Sequence, residues 1–321
     1  MRTMVTGASG FLGGHLVEEL KGRGHEVIAL ARRTSDLSSV EGHLDEVRYA
    51  DLSDPDSVAD ATGDIDTMFH CAGAVRHVAP YSELRGINVL GTRNLALAAV
   101  RNGVGEVIHA SSMGVHGLDG ERENGSRISD KYCRSKAEAE EELFKVCQGT
   151  GTRAVALRPG VIYGPRDYTA AYHWFSTVDQ GDPMIIGDGS TRFPLVYIDD
   201  LVRAFIIAWA DQEDDAAYDI EGRMTSLQEV YSLVTRELGV ERDFRRVGYR
   251  TALTVARLSE LKAALTGYRR DAGLSTFVVK LFGKDHRGKG TGMELGDQTP
   301  LEEGIHRTAE WYLESARNGR E

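Results

Sequence analysis

Cysteine is scarce in this chain: only Cys71, Cys133 and Cys147 stand among 321 residues. None belongs to a CxxC pair or to a metal-ligand spacing, so neither a disulfide framework nor a metal site is expected, and a reducing cytoplasm suits the chain. Long apolar runs are missing too. No uncharged stretch reaches the ~18 residues of a membrane-spanning helix, and strand-like Thr3-Met4-Val5 comes so early that no signal peptide is expected. Positive charge is also in deficit: the formal net charge of −11 argues against nucleic acid, whose phosphates reward basic surfaces. Two local basic runs, Arg242, Arg245, Arg246 and Arg250, then Lys284, Arg287 and Lys289, read as solvated surface. What is present, 41% hydrophobic and 27% charged residues with seven prolines and 36 glycines, is the composition of a globular protein able to bury a large core.

Short runs rich in Val and Ile alternate with stretches of helical period, which predicts repeated βαβ units around a parallel sheet. Strands are expected at 4–5, 27–31, 47–49, 67–70, 107–111 and 154–157, with helices at 12–22, 56–61, 89–102 and 131–147. Beyond Gly164 a loop-rich stretch carries Tyr168, Tyr172, His173 and Trp174. Strands at 196–198 and 217–220 and helices at 200–210 and 227–238 follow. Residues 252–265 read as an amphipathic helix packed on the body rather than on a membrane. The expected fold class is therefore α/β. A doubly wound parallel sheet (Rossmann) spans 1–164 with return segments near 196–222, and a smaller, mixed α/β substrate lobe is formed by 165–195 and 223–321.

TGASGFLG over 6–13 follows the first strand and opens the first helix, the context of a dinucleotide fingerprint. Gly7, Gly10 and Gly13 allow a tight turn, close approach of backbone to a pyrophosphate, and close packing of helix on sheet. Ser9, Phe11 and Leu12 complete the loop at a helix N-terminus rich in free N–H groups. At the end of the second strand, where NAD-specific sites carry a carboxylate, stand Ala31, Arg32 and Arg33. An arginine pair meets a 2′-phosphate with charge-assisted bonds, so NADP is expected ahead of NAD. Asp51, followed by Leu52, either accepts from the adenine amino group or caps a turn.

Tyr132 and Lys136 stand at i and i+4, on one face of the helix that follows the fifth strand. A nearby ammonium favours the phenolate, and a tyrosine tuned this way serves as a general acid or base at a carbinol carbon. With the glycine loop, Asp51-Leu52 and this YxxxK pair, six further segments fall in order: HCAG at 70–73, NVLGTRN at 88–94, SSMGVHG at 111–117, RPGVIYGP at 158–165, VYIDDL at 196–201 and TPLEEG at 299–304. Over nearly its whole length the chain thus resembles the extended short-chain dehydrogenase/reductase family, in its dihydroflavonol reductase and 3β-hydroxysteroid dehydrogenase-like branch.

The resemblance implies that Ser112 hydrogen-bonds the substrate oxygen, that Tyr132 exchanges its proton, and that Lys136 holds the nicotinamide ribose. It implies that Ala72, Gly73 and Ala74 line the cofactor channel and that Pro159, Val161 and Ile162 bound the nicotinamide end. It places Val75, Arg76, Gly114, Val115, Tyr163, Trp174, Arg192 and Phe193 on the substrate side, and it implies a homodimer built through the YxxxK helix. The chain also departs from the nucleotide-sugar epimerases of the family. Val161 replaces their asparagine, Phe193 falls at or beside their arginine, and His116 replaces a frequent tyrosine. The expected activity is hydride transfer between NADP(H) and a ketone or secondary alcohol on a small, mainly apolar or aromatic body. A nucleotide-sugar epimerase or dehydratase is the alternative. A non-catalytic cofactor sensor fits less well, because Ser112, Tyr132 and Lys136 are all intact.

Overall fold

The computed structural model describes residues 1–118, 127–211, 215–268 and 274–317. They cluster into two compact units: Met1–Pro159 with Val202–Ile220 and Gly290–Met293, and Gly160–Leu201 with Glu221–Lys289 and Glu294–Glu321.

The first unit holds strands β1 (Arg2–Thr6), β2 (Glu26–Ala31), β3 (Glu46–Tyr49), β4 (Thr67–His70), β5 (Glu106–Ala110) and β6 (Arg153–Pro159). Its helices are α1 (Phe11–Gly22), α2 (Pro55–Ala61), α3 (Tyr81–Leu84), α4 (Gly91–Asn102) and α5 (Lys131–Cys147), and a π-turn at Arg85–Leu90 joins α3 to α4. The second unit contributes β7 (Val161–Tyr163), β8 (Met184–Ile186), β9 (Arg192–Tyr197), β11 (Arg223–Ser226), β12 (Arg245–Val247), α6 (Ala170–Asp179), α8 (Leu227–Leu238), α9 (Tyr249–Leu265), α10 (Thr276–Gly283) and α11 (Leu301–Arg317). β10 (Ala216–Ile220) and β13 (Thr291–Gly292) return to the first unit, and α7 (Ile198–Ala210) has residues in both.

The strand order of the first unit is β13-β10-β6-β5-β4-β1-β2-β3, and all seven ladders are parallel. Helices cover both faces, so the central strands are buried almost throughout; β4 is buried at all four positions and β2 at five of six. On one face Val58, Leu95, Ala99 and Leu143 from α2, α4 and α5 pack on Met4, Met68 and Val107. On the other, Phe205 and Trp209 of α7 lie with their rings 6.5 and 5.4 Å from Phe69. The chain order reverses between β1 and β4, where Thr6 pairs with His70. In a doubly wound sheet a ligand binds beyond the C-terminal strand ends at such a switch.

The second unit holds a three-stranded mixed sheet, β11-β9-β7, and a parallel pair, β12-β8. Two sequence expectations change here. The stretch carrying Tyr172 and Trp174 is not loop but α6, started by buried Asp167, whose carboxylate accepts from the backbone N–H groups of Thr169 and Ala171 at 2.9 and 2.8 Å. The strand expected at 196–198 is the end of β9, and Ile198 already begins α7.

Candidate active site

Gly7 adopts a left-handed φ of +72°, and a Cβ there would stand 2.7 Å from the Ala72 nitrogen. The Gly10 N–H donates to the Gly7 carbonyl at 2.9 Å, and a Cβ on Gly13 would run into that same carbonyl group. Only bare backbone fits this turn. The N-terminus of α1 has no side-chain cap and no acidic residue in its first turn, so its N–H groups and the positive end of its dipole remain for an anion. These features fit a dinucleotide pyrophosphate. Beneath the loop, Thr6 Oγ1 accepts from the Ala72 N–H at 3.0 Å and bonds His70 Nδ1 at 2.8 Å, while His70 Nε2 bonds Thr92 Oγ1 at 2.8 Å. Burial drives the His70 pKa down to about 3, so a neutral imidazole staples β1, β4 and α4 together.

Helix α5 is started by Asp130, whose carboxylate accepts from the Cys133 N–H at 2.9 Å. From there Tyr132, Lys136 and Glu140 recur every fourth residue on its buried face. Lys136 Nζ donates to the Ala110 carbonyl at 2.7 Å. Burial lowers its pKa to about 8 against the raising influence of Cys71 and Glu140. A Cβ on Gly73 would lie 3.4 Å from Lys136 Nζ and 3.3 Å from Asn88 Oδ1, which sets the channel glycine against the lysine. Ser112 caps the 3₁₀ turn Met113–His116, its Oγ accepting from the Gly114 N–H at 3.1 Å, and its hydroxyl hydrogen-bonds that of Tyr132. Ser112, Tyr132, Lys136 and Gly73 therefore converge in the first unit.

One expectation is reversed. Burial, with the neighbouring Cys133 and Asp130, raises the Tyr132 phenol pKa rather than lowering it, against the opposing bond from Ser112. The phenol is held protonated.

Glu140 and Asp219 had no role expected from sequence, and Asn88, Arg158 and His116 stood there only as parts of matching segments. Asn88 accepts from the Ala74 N–H at 2.7 Å and donates to the Ser135 hydroxyl at 2.9 Å, tying the channel loop to α5. Glu140, buried behind Lys136, accepts from Ser111 Oγ and from Arg158 Nε, both at 2.9 Å, and pairs Arg158 again through its other oxygen. Arg158 reaches buried Asp219 at 3.6 Å; Asp219 takes His116 Nε2 at 2.9 Å and the Gly290 N–H at 2.7 Å. His116 thus faces this charge chain. Breaking a buried pair by removing one partner costs about 3–5 kcal/mol, because the other charge is left without compensation. Glu140→Ala is accordingly expected to lower unfolding stability by about 3 kcal/mol in denaturant titration and to depress the Lys136 pKa further; a loss below about 1 kcal/mol, as for an exposed pair, would contradict this account of the chain.

The remaining candidates divide between the units. Arg32 and Arg33 are exposed at the end of β2, and Arg33 lies 5.0 Å from the ring centroid of Tyr49. Asp51 accepts from the Ser53 N–H at 2.8 Å and Ser53 Oγ at 2.7 Å; these bonds, aided by Arg32, hold its pKa below the usual carboxylate value. The turn role of Asp51 is thus realised. The carbonyl of Leu52 accepts from Asn94 at 2.8 Å. Val75 is exposed, Val115 and Gly114 are buried, and Arg76 pairs with Glu83 at 2.6 Å. Pro159 ends β6, whereas Val161 and Ile162 lie in β7 of the second unit. Tyr163, Trp174 and Phe193 form core there. Phe193 is fully buried with its ring 4.8 Å from Phe282, Trp174 meets the same ring at 6.5 Å, and Tyr163 meets Tyr197 at 5.4 Å. Exposed Arg192 donates to the Met224 carbonyl at 3.2 Å.

Residues 3–220 match the model of the NAD dependent epimerase/dehydratase family, and the chain belongs to that family. It is an enzyme, an NAD(P)-dependent oxidoreductase of the extended short-chain dehydrogenase/reductase type. Over 295 residues it is 28% identical to the 2-alkyl-3-oxoalkanoate reductase of Stenotrophomonas maltophilia, a match covering 87% of this chain and 88% of that protein. Over 224 residues it is 34% identical to a 3 beta-hydroxysteroid dehydrogenase/Delta 5-->4-isomerase of Mycobacterium tuberculosis, covering 65% of this chain and 60% of that one. The solved structure of MoeE5 in complex with UDP-glucuronic acid and NAD superposes with a TM-score of 0.71 at 25% identity, covering 98% of this chain and 100% of that one. Among the described residues no group of His, Cys, Asp and Glu is arranged to hold a metal, and no helix is long and apolar enough to cross a membrane.

Proposed function

We propose that the enzyme reduces a ketone on a mainly apolar body at the expense of NADPH. The observation that carries this reading is the placement of Tyr132 and Lys136 four residues apart on the buried face of α5, with Ser112 beside the phenol. A protonated phenol can supply the proton that a carbonyl oxygen needs as its carbon accepts hydride; burial alone makes that proton harder to give. Ser112 would hold that oxygen and Tyr132 would protonate it. Lys136 would bind the nicotinamide ribose, its low pKa keeping its charge responsive to the site. Residues 7–13 would take the pyrophosphate, Ala72, Gly73 and Ala74 would flank the channel, and Pro159 would bound its nicotinamide end. When bound, the cofactor supplies the hydride.

An apolar body is favoured by the names of the two sequence relatives, a 2-alkyl-3-oxoalkanoate reductase and a 3 beta-hydroxysteroid dehydrogenase. Aromatic side chains favour it less, because Tyr163, Trp174 and Phe193 are occupied in core packing. The MoeE5 complex keeps a nucleotide-sugar substrate as the second reading. Titration calorimetry with UDP-glucose and UDP-glucuronate separates the two: micromolar binding would overturn the ketone reading, and no binding alongside turnover of an alkyl or steroid ketone would support it.

The preference for NADPH rests on Arg32 and Arg33, both exposed at the place where a carboxylate would repel a 2′-phosphate. A hydrogen bond to a charged group contributes about 1.5–3 kcal/mol, so Arg32→Ala or Arg33→Ala is expected to erode the NADPH-over-NADH ratio of kcat/KM about tenfold or more. Equal use of NADH by the parent enzyme would contradict the assignment. We further read the enzyme as a cytoplasmic homodimer acting on a small molecule, a reading that its scarcity of cysteine favours.

A further inference from the structure

Helix α9, in the second unit, packs one face on its neighbours and leaves a second apolar stripe outward. The side chains it buries are small, Ala252, Ala256 and Ala263, and the first two pack with Val279 of α10. Leu253 and Tyr249 pack on the same cluster, but four large apolar residues point outward: Val255 is 50% exposed, Leu258 63%, Leu261 56% and Leu265 80%. Steps of three, three and four residues keep them on one stripe. Isolated exposed leucines are ordinary, but a contiguous stripe marks an interaction surface.

The charges around the stripe are of one sign. Arg250, Arg257 and Lys262 lie on exposed positions of the same helix and form no ion pair among the described residues. The only acid of α9, Glu260, is occupied: its carboxylate accepts from the N–H and the hydroxyl of Thr276, at 2.6 and 2.7 Å, at the start of α10. Residues 241–289 carry twelve arginines and lysines against five acids, in a chain whose net charge is −11. In sequence the basic runs 242–250 and 284–289 lie to either side of α9; Arg242 and Arg245 of the first are engaged by Val178, Asp179 and Asp182.

We propose that α9 seats the enzyme on an anionic lipid surface, with Val255, Leu258, Leu261 and Leu265 entering the headgroup boundary and Arg250, Arg257 and Lys262 meeting lipid phosphates. A second copy of the chain is the poorer occupant. A two-fold contact through α9 would face three unpaired cations with three more and bring no free acid from that helix. An enzyme with no membrane-spanning helix among its described residues would thereby sit where apolar substrates partition. The helix packs on α10 as its sequence pattern leads one to expect, and lipid would meet the face that this packing leaves outward.

The test is co-sedimentation of the full chain with vesicles of phosphatidylcholine alone and of phosphatidylcholine with about one-third phosphatidylglycerol, at low and high salt. The parent protein is expected to bind the anionic vesicles about tenfold more tightly than the neutral ones, and to lose that excess as salt screens the cations. Leu258→Ser with Leu265→Ser, and separately Arg257→Glu with Lys262→Glu, are each expected to lower anionic binding about tenfold or more while leaving the melting temperature and turnover of a soluble substrate unchanged. Three outcomes would overturn the proposal: no binding to either vesicle, equal binding to both, or a dimer in light scattering that the leucine double variant converts to monomer.

Discussion

Replacing Tyr132 with phenylalanine is expected to lower turnover by about 10²–10⁴-fold while leaving cofactor affinity within about threefold, since a general acid is removed and the ring is kept. In free energy this is about 3–5 kcal/mol of transition-state stabilisation, at 1.36 kcal/mol per tenfold. The ring is buried and stands edge-on to His77, with centroids 5.2 Å apart. Phenylalanine preserves that packing and removes only the hydroxyl bonded to Ser112. The protein should fold and bind NADPH as before, and single-turnover rates should carry the whole loss. Activity within a few-fold of the parent would remove Tyr132 from the mechanism.

A comparably large effect is expected at the glycine loop. Gly13→Ala places a methyl group against the Gly7 carbonyl, whose carbon would be 2.7 Å away, and both atoms belong to backbone that cannot rotate aside. The turn must open or α1 must lift from the sheet. Overpacking of this kind costs about 1–3 kcal/mol in stability. Cofactor affinity should fall further, about 100-fold, because the N–H groups that meet the pyrophosphate lose their common aim. Gly22→Ala in the last turn of the same helix meets nothing within 4 Å and serves as the control. It should be neutral or slightly stabilising, since alanine exceeds glycine in helix propensity by about 1 kcal/mol. Fluorescence titration with NADPH reads both variants, and an unimpaired Gly13→Ala protein would contradict the loop geometry.

Much of the first unit was legible because its strands are buried on both faces and so read as unbroken apolar runs; 67–70 and 131–147 agree residue for residue with β4 and α5. The site core was legible for a different reason. The glycine loop and the Tyr132–Lys136 spacing are local, and local geometry survives in sequence. What stayed hidden is non-local. Glu140 meets Arg158 across 18 residues and His116 meets Asp219 across 103, and no periodicity connects them. The titration of Tyr132 was misjudged because charge proximity is visible in a helix pattern while burial by distant segments is not. Aromatic residues between 163 and 193 looked alike whether they were to fill core or meet a ligand; Phe193 and Trp174 share the single partner Phe282, nearly 90 residues and more downstream. Helix α9 was recognised as amphipathic, yet amphipathicity alone does not say which face is inward.

The account rests on net reduction of an external carbonyl, with hydride from NADPH and a proton from Tyr132. Its most direct test is incubation of the enzyme with NADPH deuterated at the transferable position and a panel of alkyl, aromatic and steroid ketones, following cofactor oxidation and the mass of the product together. The predicted result is one NADPH oxidised per alcohol formed, with one deuterium on the carbinol carbon, and with Tyr132→Phe all but inactive. Interconversion of a nucleotide sugar without net oxidation or reduction of the cofactor, and no turnover of any ketone, would contradict it.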